Sequence, residues 1–433
     1  MKIKWFQQIA RRKRKNKLTG SVLAFTTFIL IAITILVSTI LLQSGIVVYY
    51  QAQVIKTFNI NTDISTSINY LLYDINLQNG NVPELSSILN DNQNPVTVFK
   101  SRWGFLNVIG AYKQFRNNQY SSMAFPGYSI SKSKNICLYL VDEGTPLSLC
   151  GSTEIKGDVY LPRKGVKRGN LGNNPYQSDN LIDGMVNISE STMPAIYYST
   201  LDSVINYFNI VVSADLHSFI SLGTGEEGQV NPFNSSAKII YNESTIILSN
   251  VNFKGKFLFE SETSISIDSS ARLEDVIIKA PYIEIGDNFK GSVQCIASDS
   301  IYIGENCSFQ YPSVISLITQ NEAKSFKSVI ISESSIVNGL VFIAPDNMNN
   351  NSTLLTLNEG ATIIGQLYCN GIFEAKGTVV GSTVCRNTIL FTPSSVHGNY
   401  LLNTKLSSNN NYHYLNILPG IFEDGKKNIL KWL

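Results

Sequence analysis

Histidines and charged side chains are scarce in this chain of 433 residues. The three histidines, His217, His397 and His413, stand far apart, and no Cys-x-x-Cys motif occurs. A catalytic triad or a zinc cluster needs such groups, so the sequence predicts no metal and no cofactor. Only 15% of the residues are charged and the formal net charge is +2. This balance predicts no nucleic-acid partner, because no strong basic field is present.

The longest gap in charge lies near the N-terminus. No Asp, Glu, Lys, Arg or His occurs from Leu18 to Ile55, and residues 22–42 are apolar apart from Thr and Ser. A helix of that length spans roughly the 30 Å of bilayer hydrocarbon. Eight of the 34 basic residues precede it: Lys2, Lys4, Arg11, Arg12, Lys13, Arg14, Lys15 and Lys17.

This charge asymmetry predicts a single-pass membrane protein. Residues 1–17 would be a cytoplasmic basic tail, and residues 18–45 a transmembrane helix in contact with the lipid bilayer. The body that follows would then be periplasmic or extracellular. A cleaved signal peptide is the alternative, although its apolar region is usually shorter, at about 7–15 residues.

The start of the apolar segment resembles a type IV pilin or pseudopilin. Lys17-Leu18-Thr19-Gly20 precedes the long apolar run, and the pilin leader is cut after a glycine. Ser21 and Phe25 stand where that family usually has Phe or Met and a Glu. The resemblance implies processing at Gly20 and a helix that continues beyond the membrane, whereas a plain stalk would fit the same residues.

A repeat of about eighteen residues runs through the C-terminal half. Ile267, Ile285 and Ile303 share one phase, with apolar partners two residues earlier, and Leu357 and Phe373 continue the frame. Short alternating apolar runs predict strands with one buried face, and their repetition predicts coils stacked on one another. The fold class is therefore mainly β, with a parallel β-helix at residues 236–400. An antiparallel sandwich is the alternative.

The remaining boundaries follow from this assignment. Residues 46–235 are predicted to form a mixed α+β region that begins with a stalk helix. Residues 401–433 are predicted to be a tail that docks on the body or caps the β-helix, since such stacks need covered ends.

Two segments carry a resemblance to known families. Residues 360–367 (Gly-Ala-Thr-Ile-Ile-Gly-Gln-Leu) and 377–382 (Gly-Thr-Val-Val-Gly-Ser) resemble bactofilins, which are polymer-forming β-helix scaffolds. The whole layout, with the segment 157–169, resembles membrane-anchored proteins of Bacteroidota. The first resemblance implies a structural role, and the second implies an envelope location.

The six cysteines suggest three local pairs in an exported domain. Cys137 and Cys150 flank a predicted hairpin, which would bring their sulfur atoms together. Cys369 and Cys385 occupy equivalent positions of consecutive coils, about 4.8 Å apart, which is within disulfide range. Two disulfides are therefore predicted. Cys295 and Cys307 differ in phase and are predicted to be buried thiols.

Two surface features bear on function. Tyr282 and Tyr302 are predicted to stack side by side as an exposed strip that could contact a glycan or a protein. A ladder of aromatic rings that only stabilises neighbouring coils would explain them equally well. Six carboxylates would be candidates if the β-helix were a carbohydrate-active enzyme: Asp268, Glu274, Asp275, Glu284, Asp287 and Glu305. Gly223–Gly228 matches a dinucleotide fingerprint by letter, but its two glutamates and the nearby Pro232 favour a surface turn.

These observations favour a non-catalytic, membrane-anchored envelope protein. Its rigid β-helix would serve assembly or adhesion, with an envelope protein or further copies of itself as partner. A minor pilin-like subunit and a carbohydrate-active enzyme are the alternatives.

Overall fold

The computed structural model describes most of the body and the whole apolar segment. The described residues are 19–73, 80–81, 95–129, 136–172, 174–214, 228–319, 327–344, 353–408, 415–421 and 426–433, with backbone alone at 19–21, 80–81 and 209–214. The chain divides into two compact units, Met1–Ser65 and Thr66–Leu433. The predicted basic tail, residues 1–17, lies outside the described residues.

Helix α1 (Thr19–Tyr73) is continuous over 55 residues. Among the described helices it is the one that is long and apolar enough to cross a membrane, and its most apolar stretch is fully exposed. Four threonine hydroxyls within this stretch donate to backbone carbonyls three or four residues earlier: those of Thr26, Thr27, Thr34 and Thr39. No water is available in hydrocarbon, so this internal bonding suits a helix surrounded by lipid. The helix includes the predicted membrane segment, residues 18–45, from Thr19 onward and continues through the predicted stalk.

The other elements of the described residues are one further helix and many short strands. Helix α2 is Ala195–Ala214. The strands before it are β1 (Gly80–Asn81), β2 (Thr97–Trp103), β3 (Leu106–Phe115), β4 (Asn118–Tyr128), β5 (Ile136–Leu140), β6 (Leu147–Cys150), β7 (Glu154–Lys156), β8 (Asp158–Leu161), β9 (Val166–Arg168), β10 (Asn170–Leu171), β11 (Asn174–Pro175) and β12 (Val186–Ile188). The strands after it, as far as β21, are β13 (Gln229–Asn231), β14 (Lys238–Asn242), β15 (Ile246–Leu248), β16 (Asn252–Gly255), β17 (Phe257–Ser261), β18 (Ser264–Ile267), β19 (Arg272–Ile285), β20 (Lys290–Ile303) and β21 (Ser308–Ile318). The last are β22 (Lys327–Ile331), β23 (Ile336–Ala344), β24 (Thr353–Leu357), β25 (Thr362–Ala375), β26 (Thr378–Phe391), β27 (Val396–Gly398), β28 (Tyr400–Leu402), β29 (Lys405–Ser407) and β30 (Lys427–Trp432).

The C-terminal half is a parallel β-helix with three faces. In β19, residues 272–274 lie on face A, 276–280 on face B and 282–285 on face C, and each part pairs in parallel with the coils on either side. On face C, Ile267 pairs with Ile285, and Ile285 pairs with Ile303. The predicted stacking of these three isoleucines is confirmed. Their side chains are buried in one core that inward residues of successive coils fill.

The stack extends beyond the predicted limits of residues 236–400. It begins at β13, which pairs with β16. After β26 the stack continues through β29. It then continues, unexpectedly, through strands from an earlier part of the chain. β26 pairs with β5, β29 with β7, β5 with β8, and β8 with β12. Residues 136–188, which the sequence assigned to the mixed region, thus form the last coils. Strands β28 and β29 of the predicted tail also belong to the stack.

A second core covers the outer side of face B. It lies between that face, helix α2 and a five-stranded antiparallel sheet of order β1-β2-β3-β4-β30. The ring of Tyr197 on α2 stacks on Phe342, with centroids 5.0 Å apart, and its hydroxyl donates to the carbonyl of Ile343 at 3.0 Å. Phe105, at the turn between β2 and β3, packs on the same Phe342 ring. One face of the β-helix therefore carries both the helix and the sheet.

Candidate functional site

A cavity of about 330 Å³ opens where the antiparallel sheet meets the first coils. Strand β4 supplies Met123 to its wall, strand β30 supplies Trp432, and Phe233 lies between the first two strands of the β-helix. Four charged side chains also line the cavity: Lys254, Glu274, Asp275 and Lys431. Apolar walls with a few converging polar groups are typical of small-molecule sites, so this cavity is the candidate site.

The four charges alternate in sign and neutralise one another. Lys431 Nζ lies 2.6 Å from Asp275 Oδ2 and 3.0 Å from Glu274 Oε1, and Lys254 Nζ lies 2.9 Å from Glu274 Oε2. The Asp275 side chain is only 4% exposed, whereas that of Lys254 is 54% exposed. The buried end of this charge cluster is therefore the pair of Lys431 and Asp275.

Backbone geometry holds Asp275 at the corner between faces A and B. Its φ of 61° is in the left-handed region, which non-glycine residues rarely adopt outside tight corners. Its carbonyl accepts a hydrogen bond from Trp103 Nε1 at 2.9 Å, and its carboxylate accepts one from Ser292 Oγ at 3.2 Å. Trp103 of the antiparallel sheet thus holds the backbone of Asp275, and Ser292 of the next coil holds its carboxylate.

The pKa shifts reflect this competition between burial and charge. Burial raises the pKa of Asp275 above its usual range, although Lys431 opposes that change. Burial acts to lower the pKa of Lys431, but Asp275 and Glu274 outweigh it and the pKa is raised. A polar ligand would have to displace these ion pairs to bind. In this geometry the cluster instead has a structural role, because Lys431 of β30 is bound to Glu274 and Asp275 of the β-helix.

Replacing Lys431 with methionine should destabilise the body by about 3 kcal/mol at pH 7, because Asp275 would remain buried without its partner. The raised pKa of Asp275 sets the sign of the pH dependence: its protonated form is favoured in the folded state, and a neutral carboxyl needs no cation. The loss should therefore be smaller at pH 4 than at pH 7. Urea unfolding of the full chain in detergent at both pH values measures the difference.

Lys254→Met is the matched control. Lys254 contacts Glu274 at the exposed end of the same cluster, and exposed ion pairs contribute about 0–1 kcal/mol. Equal losses for the two variants, or a Lys431→Met loss that grows at pH 4, would contradict a buried Lys431–Asp275 pair.

The six carboxylates that the sequence singled out do not all meet. Glu274 and Asp275 share Lys431, as described above. Asp268 accepts hydrogen bonds from the amide and hydroxyl of Ser270, and Asp287 accepts one from the amide of Glu305 at 2.7 Å. Glu284 is exposed on the outer side of face C. Asp268 and Asp287 thus stabilise turns between coils.

The predicted aromatic strip has a different geometry from the one expected. Tyr282 and Tyr302 are both exposed on face C, but Tyr282 pairs with Ser300, and Tyr302 pairs with Glu284. The two rings are therefore diagonal neighbours, offset by two residues, and the predicted side-by-side stack is wrong. The reason is their separation of twenty residues, which exceeds the eighteen-residue coil at this point. The role of the strip stays a prediction.

The two predicted disulfides are absent, and all six cysteines are buried free thiols. Cys137 lies in β5, which pairs with β8 and β26, whereas Cys150 lies in β6, which pairs with β9 and β28. The predicted hairpin between Cys137 and Cys150 does not form, because β5 and β6 lie on different faces of one coil.

The second cysteine pair has the expected register but not the bond. Cys369 pairs with Cys385 in consecutive coils, as the repeat predicted. Both remain thiols, and burial raises the pKa of Cys369 to about 12. A buried thiol with a raised pKa reacts slowly, since the thiolate is the reactive form. Cys295 and Cys307 are buried thiols too, as predicted.

Several predicted features fall outside the described residues. His217, His413 and most of Gly223–Gly228 are among them. His397 lies in β27, where its Nε2 is 2.7 Å from Ser395 Oγ. Within the described ranges, no group of three or more His, Cys, Asp or Glu side chains is placed to hold a metal ion.

Comparison with known proteins gives one weak similarity. No protein-family model matches the chain, and no curated protein sequence matches it. Among solved structures, the chain is similar to the competence-associated pilin ComZ from Thermus thermophilus. The sequence identity is 9%, over 82% of this chain and 86% of that chain, and the TM-score is 0.20. A TM-score this low does not establish a shared fold. The resemblances to bactofilins and to Bacteroidota proteins stay predictions.

Proposed function

We propose that this chain is a non-catalytic, membrane-anchored envelope protein that presents a rigid β-helix for assembly or adhesion. The observation that carries the proposal is the exposed apolar part of α1, joined in one chain to a body built as a stacked β-helix. The basic N-terminal tail favours a cytoplasmic N-terminus and an exported body.

The body supports a structural role. Successive coils share one core, and in a stack of this kind each coil is stabilised by its neighbours. The charged cluster in the candidate site is neutralised internally, so it has no unpaired catalytic carboxylate. The exposed tyrosines of face C are candidates for contact with the adhesion partner, a glycan or a protein.

Alkaline carbonate extraction tests the anchor. The full chain is expected to stay in the membrane pellet and to be released by detergent. Replacing Ile31 and Ile35 together with arginine should move it to the soluble fraction, because each arginine at the centre of a membrane helix costs roughly 3 kcal/mol. Replacing Val54 and Phe58 with arginine is the control, since both lie beyond residue 45.

Either of two results would overturn the proposal. The wild-type chain could leave the membrane in carbonate alone, or the Val54 and Phe58 pair could release it as fully as the Ile31 and Ile35 pair. In the first case α1 is not an anchor, and in the second its effect is not specific to the membrane segment.

A pilin-like subunit is a second candidate, and the continuity of α1 favours it. In the described residues the helix passes through the proposed cleavage position at Gly20 and runs without a break to Tyr73. Such a helix can both sit in a membrane and continue into a body. The same membrane preparation decides between the two forms by N-terminal sequencing: Ser21 as the first residue supports the pilin-like subunit, Met1 supports a plain anchor, and a start after Leu42 contradicts both.

A further inference from the structure

The two ends of the β-helix differ in how their inward side chains are covered. At the first coil, Ile240, Ile246 and Leu248 are almost completely buried. At the last coil, Val186 and Ile188 are 53% and 66% exposed. These two residues pair with Val159 and Leu161, whose side chains lie in the common core, so they continue its inward columns. Among the described residues, the hydrophobic interior is therefore covered at the first coil and exposed at the last.

The backbone of the last coil is open as well. Strand β12 pairs in register with β8, and among the described strands no second register pairing is found for it. Met185 accepts a hydrogen bond from the amide of Val159, and the amide of Ser189 donates to Leu161. Directions alternate along a strand, so the N–H and C=O groups of Val186 and Ile188 point away from the stack. An edge of this kind is a template for another strand.

The charge around this end allows a like surface to approach. Between residues 154 and 190 there are five basic and five acidic side chains: Lys156, Arg163, Lys164, Lys167 and Arg168 against Glu154, Asp158, Asp179, Asp183 and Glu190. The local net charge is zero, so two such ends do not repel each other strongly. A partner with a large net charge of one sign would find no net electrostatic attraction at this end.

We propose that two copies of this chain dock end to end through the last coil, with β12 of one protomer paired antiparallel to β12 of its partner about Asn187. In this register Val186 faces Ile188 of the other protomer, and the four open backbone groups of each strand find partners. The inward side chains of both strands lie on the same side of the shared sheet, so the two cores become one. The covered first coil limits the assembly to a closed two-fold dimer.

Light scattering with size-exclusion chromatography of the full chain in detergent tests the dimer. The wild-type protein is expected to be dimeric, and Ile188→Glu should be monomeric at the same concentration because it places a charge in the joined core. Ile247→Glu is the matched control. Its side chain is equally exposed, at 67%, but it points outward from face C of the first coil, so that variant should remain dimeric.

Three results would overturn the proposal. They are a monomeric wild type, a dimer that survives Ile188→Glu, and a dimer that both variants abolish. The second would place the contact elsewhere, for example on α1. The proposal extends the assembly role inferred above, yet it fails separately from the carbonate extraction, which reports on the anchor alone.

Cross-linking tests the register without removing any packing. Opposed residues of a non-hydrogen-bonded antiparallel pair have Cα atoms about 4.5 Å apart, which suits a disulfide. Asn187→Cys should therefore give a covalent dimer under mild oxidation. Ile247→Cys should not, and the six native cysteines are buried. A covalent dimer that forms equally from both variants, or from neither, contradicts the pairing about Asn187.

Discussion

Replacing Phe309 with alanine is expected to lower the free energy of unfolding by about 3–5 kcal/mol, the usual loss for a buried aromatic ring. Phe309 is fully buried in the β-helix core, and its ring lies 5.6 Å from that of Phe289, centroid to centroid. It pairs with Gly291 in the coil before and Val337 in the coil after. A cavity at this position would weaken the contacts of three coils at once.

Urea unfolding of the full chain in detergent, followed by far-UV circular dichroism, measures this loss. Tyr302→Ala is the control. Tyr302 is another large aromatic residue, in the preceding strand β20, but its side chain points outward on face C. Its removal should change stability by no more than about 0.5 kcal/mol. Similar losses for the two variants would contradict the division into inward and outward positions on which the whole stack depends.

The repeat predicted the middle of the stack because periodic burial is a local signal. Ile267, Ile285 and Ile303 recur at the interval that places them in contact, and no knowledge of distant residues is needed. At Phe373 the register predicted from the repeat was wrong by two residues. The frame placed Phe373 at the position of Leu357, but Leu357 pairs with Ala375, and Phe373 pairs with Leu355. The short turn at Lys376-Gly377 absorbs the difference.

The last coils could not be predicted in this way. Residues 136–188 are interrupted by short strands and turns, and they join the stack through contacts with β26 and β29, more than two hundred residues later in the chain. Their periodicity is too weak to show the pairing. The open end at Val186 and Ile188 was missed for the same reason, because β12 has only three residues and its neighbours are not adjacent in sequence.

Two residues of the candidate site, Glu274 and Asp275, were singled out from the sequence, but only as carboxylates that a carbohydrate-active enzyme would need. Lys431 was not, because the C-terminal strand looked merely apolar. Only the pairing of β30 with β4 brings its ammonium group to Asp275. A salt bridge between residues 156 positions apart leaves no signal in a single sequence.

The corner between faces A and B depends on a column of glycines, Gly339, Gly365 and Gly381, which pair with one another in successive coils. Gly365 has a φ of 137°, where L side chains are strained, and an added Cβ would meet the carbonyl oxygen of Gly339. The conformational strain and the overpacking together should make Gly365→Ala destabilising by about 3 kcal/mol. The urea experiment used for Phe309 measures this effect.

Gly398→Ala is the control for a Gly→Ala change that causes no clash, since an added Cβ there would meet no atom within 4 Å. Its stability should stay within about 0.5 kcal/mol of the wild type.

A double variant sharpens the test. Adding Gly381→Ala to Gly365→Ala places a second methyl group against the backbone of the first site, so the two losses should not add independently. If they did add, or if Gly365→Ala were harmless, the coils at this corner would not be in backbone contact, and the tight spacing that lets one coil support the next would be lost.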